Sequence, residues 1–550
     1  MTVPSADELL FLPLGGAGEI GMNLNLYGHA GKWLMVDLGI AFADDSTPGV
    51  EVVMPDPGFI EARKNDLVGI VLTHAHEDHL GAVPDLWPRL KAPVFATPFA
   101  ASVLRRKLVE AGLLDVVPIT EVPLGGKFSL APFELEMITM THSIPEPNAL
   151  AIRTRFGTVF HTGDWKIDPQ PLLGELTDEA TLKNIGEEGA LAMVCDSTNV
   201  FVEGEAGSEA TVRANLEMLV RPRKGRIAVT CFASNLARVE SIAKAAISAG
   251  RHPVLSGRAM QRMVEAAQEC GYLLDFPDCV PEHEAGYLPR NKVLFICTGS
   301  QGEPRASMAK IASDDHRDLV LEAGDTAIFS ARVIPGNERA VGRLQNALMA
   351  RGVEVLTDRD EDIHVSGHPA RDELVRVYQW VRPRIAVPVH GEIRHMVEHG
   401  ALARSCQVPE TVVAPNGSLV RLAPGPAEIV GHVPAGRLAR DGDTLVPVEG
   451  EVLRERRKLL WNGSATATLV LDQDGRQRAA PVVSVRGMED EDGSLAEAIT
   501  QGLKEMLSDF SPVERCDDER IEEAARKTIR RVVRALLGKK PLTDVHIVRI

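Results

Sequence analysis

His74-Ala75-His76-Glu77-Asp78-His79 sets three imidazoles and a carboxylate within one short turn. The preceding Leu67-Val68-Gly69-Ile70-Val71-Leu72-Thr73 is apolar and β-branched, so it reads as a buried strand that ends where the cluster begins. A loop at a strand's C-terminal end can aim several side chains at one point. Imidazole nitrogen and carboxylate oxygen suit zinc or manganese. Four donors from one loop exceed what a single open catalytic zinc takes from so local a segment, which points to two metals. The bland alternative, a solvated histidine cluster, does not explain why a buried strand delivers it.

Working outward, the 550 residues are enough for two to four domains, and the formal net charge is −17. An acidic total disfavours a polyanionic substrate without excluding one, because bound divalent cations can dominate the local field. The seven cysteines (195, 231, 270, 279, 297, 406 and 516) are scattered and never form a CxxC pair. That usage argues against a disulfide framework or a thiolate zinc site. Asp7 and Glu8 flank only a short apolar run, and no stretch approaches membrane-spanning length. The expectation is a soluble, cytoplasmic protein with no membrane contact.

Residues 1 to about 207 alternate short strands with turns, and several strands end in a ligand-type residue. Leu34 to Gly39 carries Asp37, Met137 to His142 ends in His142, and Thr158 to Asp164 ends in Asp164. From 208 strands alternate with amphipathic helices, as in Arg226 to Cys231 followed by Leu236 to Gly250, a parallel α/β texture. The first style returns with Ile385-Ala386-Val387-Pro388-Val389-His390-Gly391-Glu392. An inserted domain at 208–351, interrupting a metal domain at 1–207 and 352–422, accounts for the return. The Pro/Gly-rich 423–462 reads as a linker with little helical order. Residues 463–550 read as a small α+β domain whose helix Glu519 to Leu537 has an apolar stripe suited to its own core.

Gly16-Ala17-Gly18-Glu19-Ile20-Gly21 matches G-x-G-x-x-G, but Met22 to Tyr27 continues with period 2. The helix that a dinucleotide site needs is missing, so a glycine loop beside the active site is expected instead.

His74 to His79, with Asp37-Leu38-Gly39 upstream and His142, Asp164 and His390 downstream, resembles the metallo-β-lactamase superfamily. The insertion, with Asp196-Ser197-Thr198-Asn199, His368 and His390 in the places of acidic motif A and motifs B and C, resembles its β-CASP nucleases. Gly15 to Asn23, Cys297 to Glu303 and Pro388 to Glu392 are similar to the bacterial ribonuclease J family. The resemblance implies an αββα metallo-β-lactamase sandwich with an inserted β-CASP α/β domain and a small α+β C-terminal domain. It also implies a metal-dependent, 5′ to 3′ exoribonuclease preferring 5′-monophosphorylated RNA, with endoribonuclease capacity, acting in RNA decay and in rRNA and mRNA maturation. Single-stranded RNA would be its partner, and self-association as a homodimer or homotetramer is expected. A DNA-processing β-CASP nuclease and an RNA-binding scaffold with a lapsed site are the alternatives.

Beside that pattern, chemistry assigns roles. His74 and His76, two apart on extended backbone, face one way and with His142 can hold one metal. Asp78, His79 and His390 would hold the second, and Asp164 would bridge. The expected pair is zinc, with manganese or magnesium as alternatives. Asp37 is expected to orient a ligand. Two metals roughly 3.5–4 Å apart activate water and stabilise charge on a phosphoryl group, with Asp78 at the reacting centre. His368 is the candidate general acid, kept protonated by Asp196. Ser234, Asn235, Ser300, His364, Ser366, Gly367 and His368 are expected along the RNA channel, with Ser234, Ser366 and Gly367 near a terminal-phosphate pocket. The basic runs Arg221 to Arg226 and Arg454 to Lys458 are read as solvated faces.

Overall fold

The computed structural model describes residues 4–5, 7–490 and 493–550. The chain divides into two compact units, one running up to Ala41 and over Met54–Gly436, the other Phe42–Val53 with Arg437–Ile550.

Among the described residues the first unit contains an eight-stranded and a seven-stranded sheet. Alternation along the strands explains why they stack. Leu135, Met137, Leu150, Ile152 and Val194 point to one face, where they meet Phe11, Tyr27, Leu34, Val36 and Val71 of the other sheet. Their neighbours Ile138, Ala149, Ala151, Met193 and Cys195 point to the opposite face, covered by helices Glu179–Glu188, Arg371–Val381 and Ile393–Ser405. This is the αββα sandwich.

Each sheet delivers part of the site at a strand end. Leu67–Val71 lies parallel between Lys32–Val36 and Val94–Ala96, so Asp37 emerges beside Thr73 and the His74–His79 loop. In the second sheet Gly157–His161, Ala190–Asp196 and Ile385–Val389 run parallel and adjacent, so Asp164, Asp196 and His390 leave at one edge. The glycine loop packs there too. Ala17–Gly18 pairs with Gly391–Glu392, and the His390 N–H donates to the Gly16 carbonyl at 2.6 Å. A Cβ on Gly15 would sit 1.9 Å from the Met22 carbonyl oxygen, so these glycines serve close backbone approach and not a phosphate.

The insertion is a five-stranded parallel sheet in the order His252–Ser256, Val293–Cys297, Ile227–Thr230, Thr326–Phe329, Glu354–Leu356. Ile227–Thr230 is where the order reverses, and a doubly wound sheet opens its crevice at the C-terminal ends of such strands. The segments beginning at Cys231, Thr298 and Ser330 therefore share one rim. The last strand, Glu354–Leu356, falls beyond the expected boundary at 351: Gly352, at φ 78°, turns the chain from helix Glu338–Ala350 straight back into this sheet.

A buried polar network joins the insertion to the metal-bearing loops. Arg238 is wholly buried and grips Glu209 through two nitrogens at 2.8 and 2.9 Å, while Nη1 donates to the Ser330 and Ile363 carbonyls. The Glu209 N–H donates to Asp168, which pairs with Lys166 at 3.1 Å. Glu373 accepts from the backbone N–H groups of Ile167, Ala206 and Ala370.

The expected linker at 423–462 is instead ordered. Glu428–His432 adds an edge strand to the eight-stranded sheet by pairing with Ser418–Ala423. In the second unit Arg437–Asp441 and Thr444–Pro447 form a hairpin, and Glu451–Asn462 is a helix. Most of the prolines and glycines stand between these elements, as Pro434, Gly436, Gly442 and Gly450 do, where they act as punctuation. Residues 463–550 hold a three-stranded sheet, Val482–Arg486, Ser464–Leu471, Leu542–Arg549, packed against helices Ser494–Asp509 and Asp518–Leu537 around Leu469, Leu503, Ile521 and Ile529. Among the described residues no helix is long and apolar enough to cross a membrane.

Arg238→Ala would leave Glu209 charged, buried and unpaired, at a cost of about 3–5 kcal/mol. A clear fall in melting temperature is expected, whereas Arg→Gln substitution at the exposed Arg317 should leave it unchanged.

Candidate metal centre

Six side chains separated by up to 316 residues converge on Asp164. Nitrogens of His74, His76 and His142 form one group with a carboxylate oxygen of Asp164. His74 Nε2 and His142 Nε2 each lie 3.0 Å from His76 Nδ1. Three ring nitrogens turned toward one another at that spacing cannot all be satisfied by protons, and a cation held among His74, His76 and His142 would satisfy them together. Burial, then the neighbouring imidazoles, holds His74 and His142 well below the usual histidine range. Burial takes His76 down to about 4 against the pull of Asp78 and Asp164. Neutral imidazole is the form that ligates.

Asp78, His79, Asp164 and His390 make the second group. His79 Nε2 is 3.1 Å from Asp164 Oδ2, and His390 Nε2 is 3.1 Å from Asp78 Oδ2. Burial opposes charge on both imidazoles, yet the surrounding carboxylates, Asp164 foremost, raise them well above the usual value. The pocket thus demands positive charge, which two protons or one divalent cation can supply. In both groups the donors are hard or borderline, without a thiolate, as a zinc or manganese pair requires. Asp164 belongs to each group and is the residue placed to bridge.

Partners behind the donors fix their direction. Asp37 accepts from Thr73 N–H at 2.8 Å and Thr73 Oγ1 at 2.9 Å, and lies 2.7 Å from His79 Nδ1, which turns His79 Nε2 inward. Thr198, itself bound to Asp196 at 2.7 Å, does the same for His390 by meeting its Nδ1 at 2.9 Å. The Gly367 carbonyl meets His142 Nδ1. Asn23 donates to the Asp78 carbonyl at 3.0 Å. Asp37 and His390 both take left-handed backbone, at φ 65° and 50°, so strain is held at the strand ends that serve the site.

His368 and Asp196 adjoin the centre. His368 Nδ1 is 2.7 Å from Asp196 Oδ2, and its side chain, 23% exposed, is open to the cleft while Asp196 is buried. Burial disfavours charge on this imidazole, but Asp196 and then Asp164 outweigh it and raise its pKa.

The residues expected along the RNA channel divide. Ser366 Oγ accepts from Asn199 Nδ2 at 2.7 Å and from His368 N–H at 3.1 Å, so its own hydrogen remains to donate. His364 Nδ1 is buried without a protein partner, beside the positive charge of Arg238, Arg332 and Lys166. Ser234 is partly exposed on the rim. Asn235 serves the fold: its Oδ1 caps helix Leu236–Ser248 and its Nδ2 donates to Glu209, and the residue is buried. Ser300 is buried, at 2% exposure. Thr73, Thr198, Asn199 and Asn23 were not singled out by sequence. Their positions inside or beside the quoted motifs were the available signal; Thr73, Thr198 and Asn23 bond to ligand residues, while Asn199 holds Ser366 and the His368 carbonyl.

Two substitutions test this arrangement. A Cβ on Gly39 would fall 1.7 Å from the Asp78 carbonyl oxygen, and one on Gly367 would fall 2.6 Å from His142 Cε1. Gly39→Ala should therefore shift the ligand loop and remove bound metal. Asp37→Ala, which leaves the loop in place but frees His79, should weaken metal affinity about 10–100-fold. Elemental analysis after dialysis against graded chelator reads both.

Comparison with known proteins agrees with this geometry. Residues 45–183 match the β-lactamase superfamily domain, 224–348 the ribonuclease J β-CASP domain, 352–414 the Zn-dependent metallo-hydrolase RNA specificity domain, and 451–550 the ribonuclease J C-terminal domain. Ribonuclease J of Sinorhizobium meliloti is 44% identical over 99% of this chain and 98% of its own length. Those of Mycolicibacterium smegmatis and Thermus thermophilus are 37% and 33% identical, covering 98% and 93% of this chain and 96% and 91% of their own lengths. A crystal structure of an Enterococcus faecalis protein of unknown function shares the fold at 15% identity and a TM-score of 0.53, over 76% of this chain and 100% of that one. With seven potential ligands gathered by an αββα core, a β-CASP insertion at its edge and relatives matched end to end, the chain belongs to the ribonuclease J family.

Proposed function

We propose that the chain is a metal-dependent ribonuclease that hydrolyses RNA 5′ to 3′ from a 5′-monophosphorylated end and also cuts internally. The observation that carries this reading is the sharing of Asp164 by two ligand groups with the His368–Asp196 pair beside it. Two divalent cations bound there, zinc in this reading, would activate water and stabilise the charge developing on phosphorus. His74, His76 and His142 would hold one and Asp78, His79 and His390 the other, with Asp164 between them.

The remaining work falls to side chains. Asp196 fixes His368 through Nδ1, so Nε2 is the nitrogen turned to substrate, and it donates a proton to the departing 3′-oxygen. The new chain end then carries a 5′-phosphate, ready for the next cycle. Ser366 and His364, with Ser234 and the Gly367 backbone, are suited to hold a terminal phosphate, having one free hydroxyl hydrogen and one free imidazole nitrogen in a positive surrounding. A compact pocket of that kind accepts one phosphate and rejects three. The seven filled ligand positions argue against a scaffold with a lapsed site. The same reading assigns 1–207 and 352–422 to the catalytic domain and 208–351 to the insertion, with Glu354–Leu356 completing the insertion's sheet. It places the protein in the cytoplasm as a homodimer or homotetramer, which light scattering tests.

Asp164→Ala and His76→Ala should abolish cleavage in folded protein, since the first removes the bridge. His368→Ala should lower single-turnover cleavage roughly 10²- to 10⁴-fold with RNA affinity kept. A loss confined to affinity would make His368 a phosphate clamp.

End-labelled RNA with a 5′-monophosphate should be degraded to mononucleotides in at least one of zinc, manganese or magnesium, while the 5′-triphosphate form resists until cut internally. Ser366→Ala should depress the first activity more than the second. Equal rates on both RNAs would remove the end-sensing pocket.

A further inference from the structure

The C-terminal unit carries a cationic groove that the catalytic reading leaves unused. Lys527, Arg530, Arg531 and Arg534 follow one another at three, one and three residues, which places all four on a single stripe of helix Asp518–Leu537. The opposite stripe, Ile521, Ala525, Ile529 and Val533, is buried in the domain core. Past the left-handed Gly538 the chain turns and brings Lys540 to the same place. With Ala535 these side chains line a groove of about 610 Å³.

An outward helix face is ordinarily polar, so polarity alone carries nothing. Sign and pairing do. Two cations of this helix are paired, Arg526 with Glu522 and the groove's own Lys527 with Glu523. Arg530, Arg531, Arg534 and Lys540 have no carboxylate partner among the described residues, in a chain whose net charge is −17. Compensation of the helix dipole explains Arg534 in the last turn. It does not explain Arg530 and Arg531, because that effect fades within one turn. Gathering four unpaired cations costs self-repulsion, and a polyanion removes that cost.

The neighbouring surface suits a nucleic acid better than a simple anion. The Lys540 N–H donates to Asn462 Oδ1 at 3.0 Å, tying the groove's edge to the end of helix Glu451–Asn462. The preceding residue, Trp461, is 74% exposed, an unusual position for an indole and one on which a base can stack. We propose that this groove is a second RNA-binding site, holding the backbone of single-stranded RNA through Arg530, Arg531, Arg534 and Lys540 with a base stacked on Trp461. It rests on the ribonuclease reading, and it adds backbone contacts to RNA that the catalytic residues do not supply.

The test uses the full-length, metal-loaded protein and its Arg530→Gln/Arg531→Gln/Arg534→Gln variant. Fluorescence anisotropy with a hydrolysis-resistant phosphorothioate RNA of about 40 nucleotides is followed against potassium chloride, each lost phosphate contact lowering the log–log salt slope by about 0.7. The variant should bind at least about tenfold more weakly at moderate salt, with a slope shallower by about 2 for three contacts. Trp461→Ala should weaken binding with the slope unchanged, since stacking releases no counterions. Cleavage of a 5′-monophosphorylated pentamer should be equal in all three proteins. An unchanged slope in the triple variant overturns the proposal, as does an equal loss on the pentamer. A changed subunit number in light scattering overturns it too, by making the groove an interface between copies. If none of the proteins cleaves the pentamer, the ribonuclease reading fails, while the anisotropy arm still decides the groove.

Discussion

A buried carboxylate ringed by imidazoles is the constraint on which the first unit is built. Asp164 is 2% exposed and lies within 4 Å of ring nitrogens from His79, His142, His368 and His390. Burying so many ionisable groups together is unfavourable unless each is paired, hydrogen-bonded or ligated. The arrangement therefore survives only on a frame that cannot relax. Strand ends of two packed sheets provide that frame, because their positions are set by hydrogen-bonded register along their whole length.

The second consequence is crowding. Ligands meet only if backbone approaches backbone, and this explains the glycines at 15, 16, 39, 367 and 391, each with a neighbour that a Cβ would strike. It also explains why Thr73, Thr198 and Asn23 are small and polar. Thr73 and Thr198 meet the Nδ1 atoms of His74 and His390, and Asn23 donates to the Asp78 carbonyl, so each holds a ligand residue from the side. Left-handed backbone at Asp37 and His390 is the residual strain of the same demand.

Buried polar contacts tie the insertion to the metal-bearing loops. Arg238, Glu209, Asp168, Lys166 and Glu373 tie the loop after Asp164 to the rim that carries Ser234 and to the segment leading to Ser366 and His368. Such a network is directional. It sets where the rim stands relative to the metal ligands, which an apolar contact of equal area would leave free to slide.

By itself the sequence determined what depends on residue type and short spacing. His74 to His79 read as a metal site because donor chemistry is local, and the insertion was visible because strand–helix alternation differs from strand–turn alternation. The C-terminal helices were legible from their apolar stripes, and the glycine motif was recognisable as a decoy from the period-2 run that follows it. Tertiary structure alone decided which distant residues meet. Residues 423–462 looked like a linker because composition does not say whether prolines and glycines interrupt elements or merely separate them; here they separate three strands and a helix. Asn235 looked like a substrate contact because nothing in the sequence places Glu209 against it. The sharing of Asp164, the support of His390 by Thr198 and the meeting of Lys540 with an arginine stripe all follow from long-range pairing and packing. Periodicity fixes the face on which a side chain lies, but its direction toward a partner hundreds of residues away is set only when the sheets close.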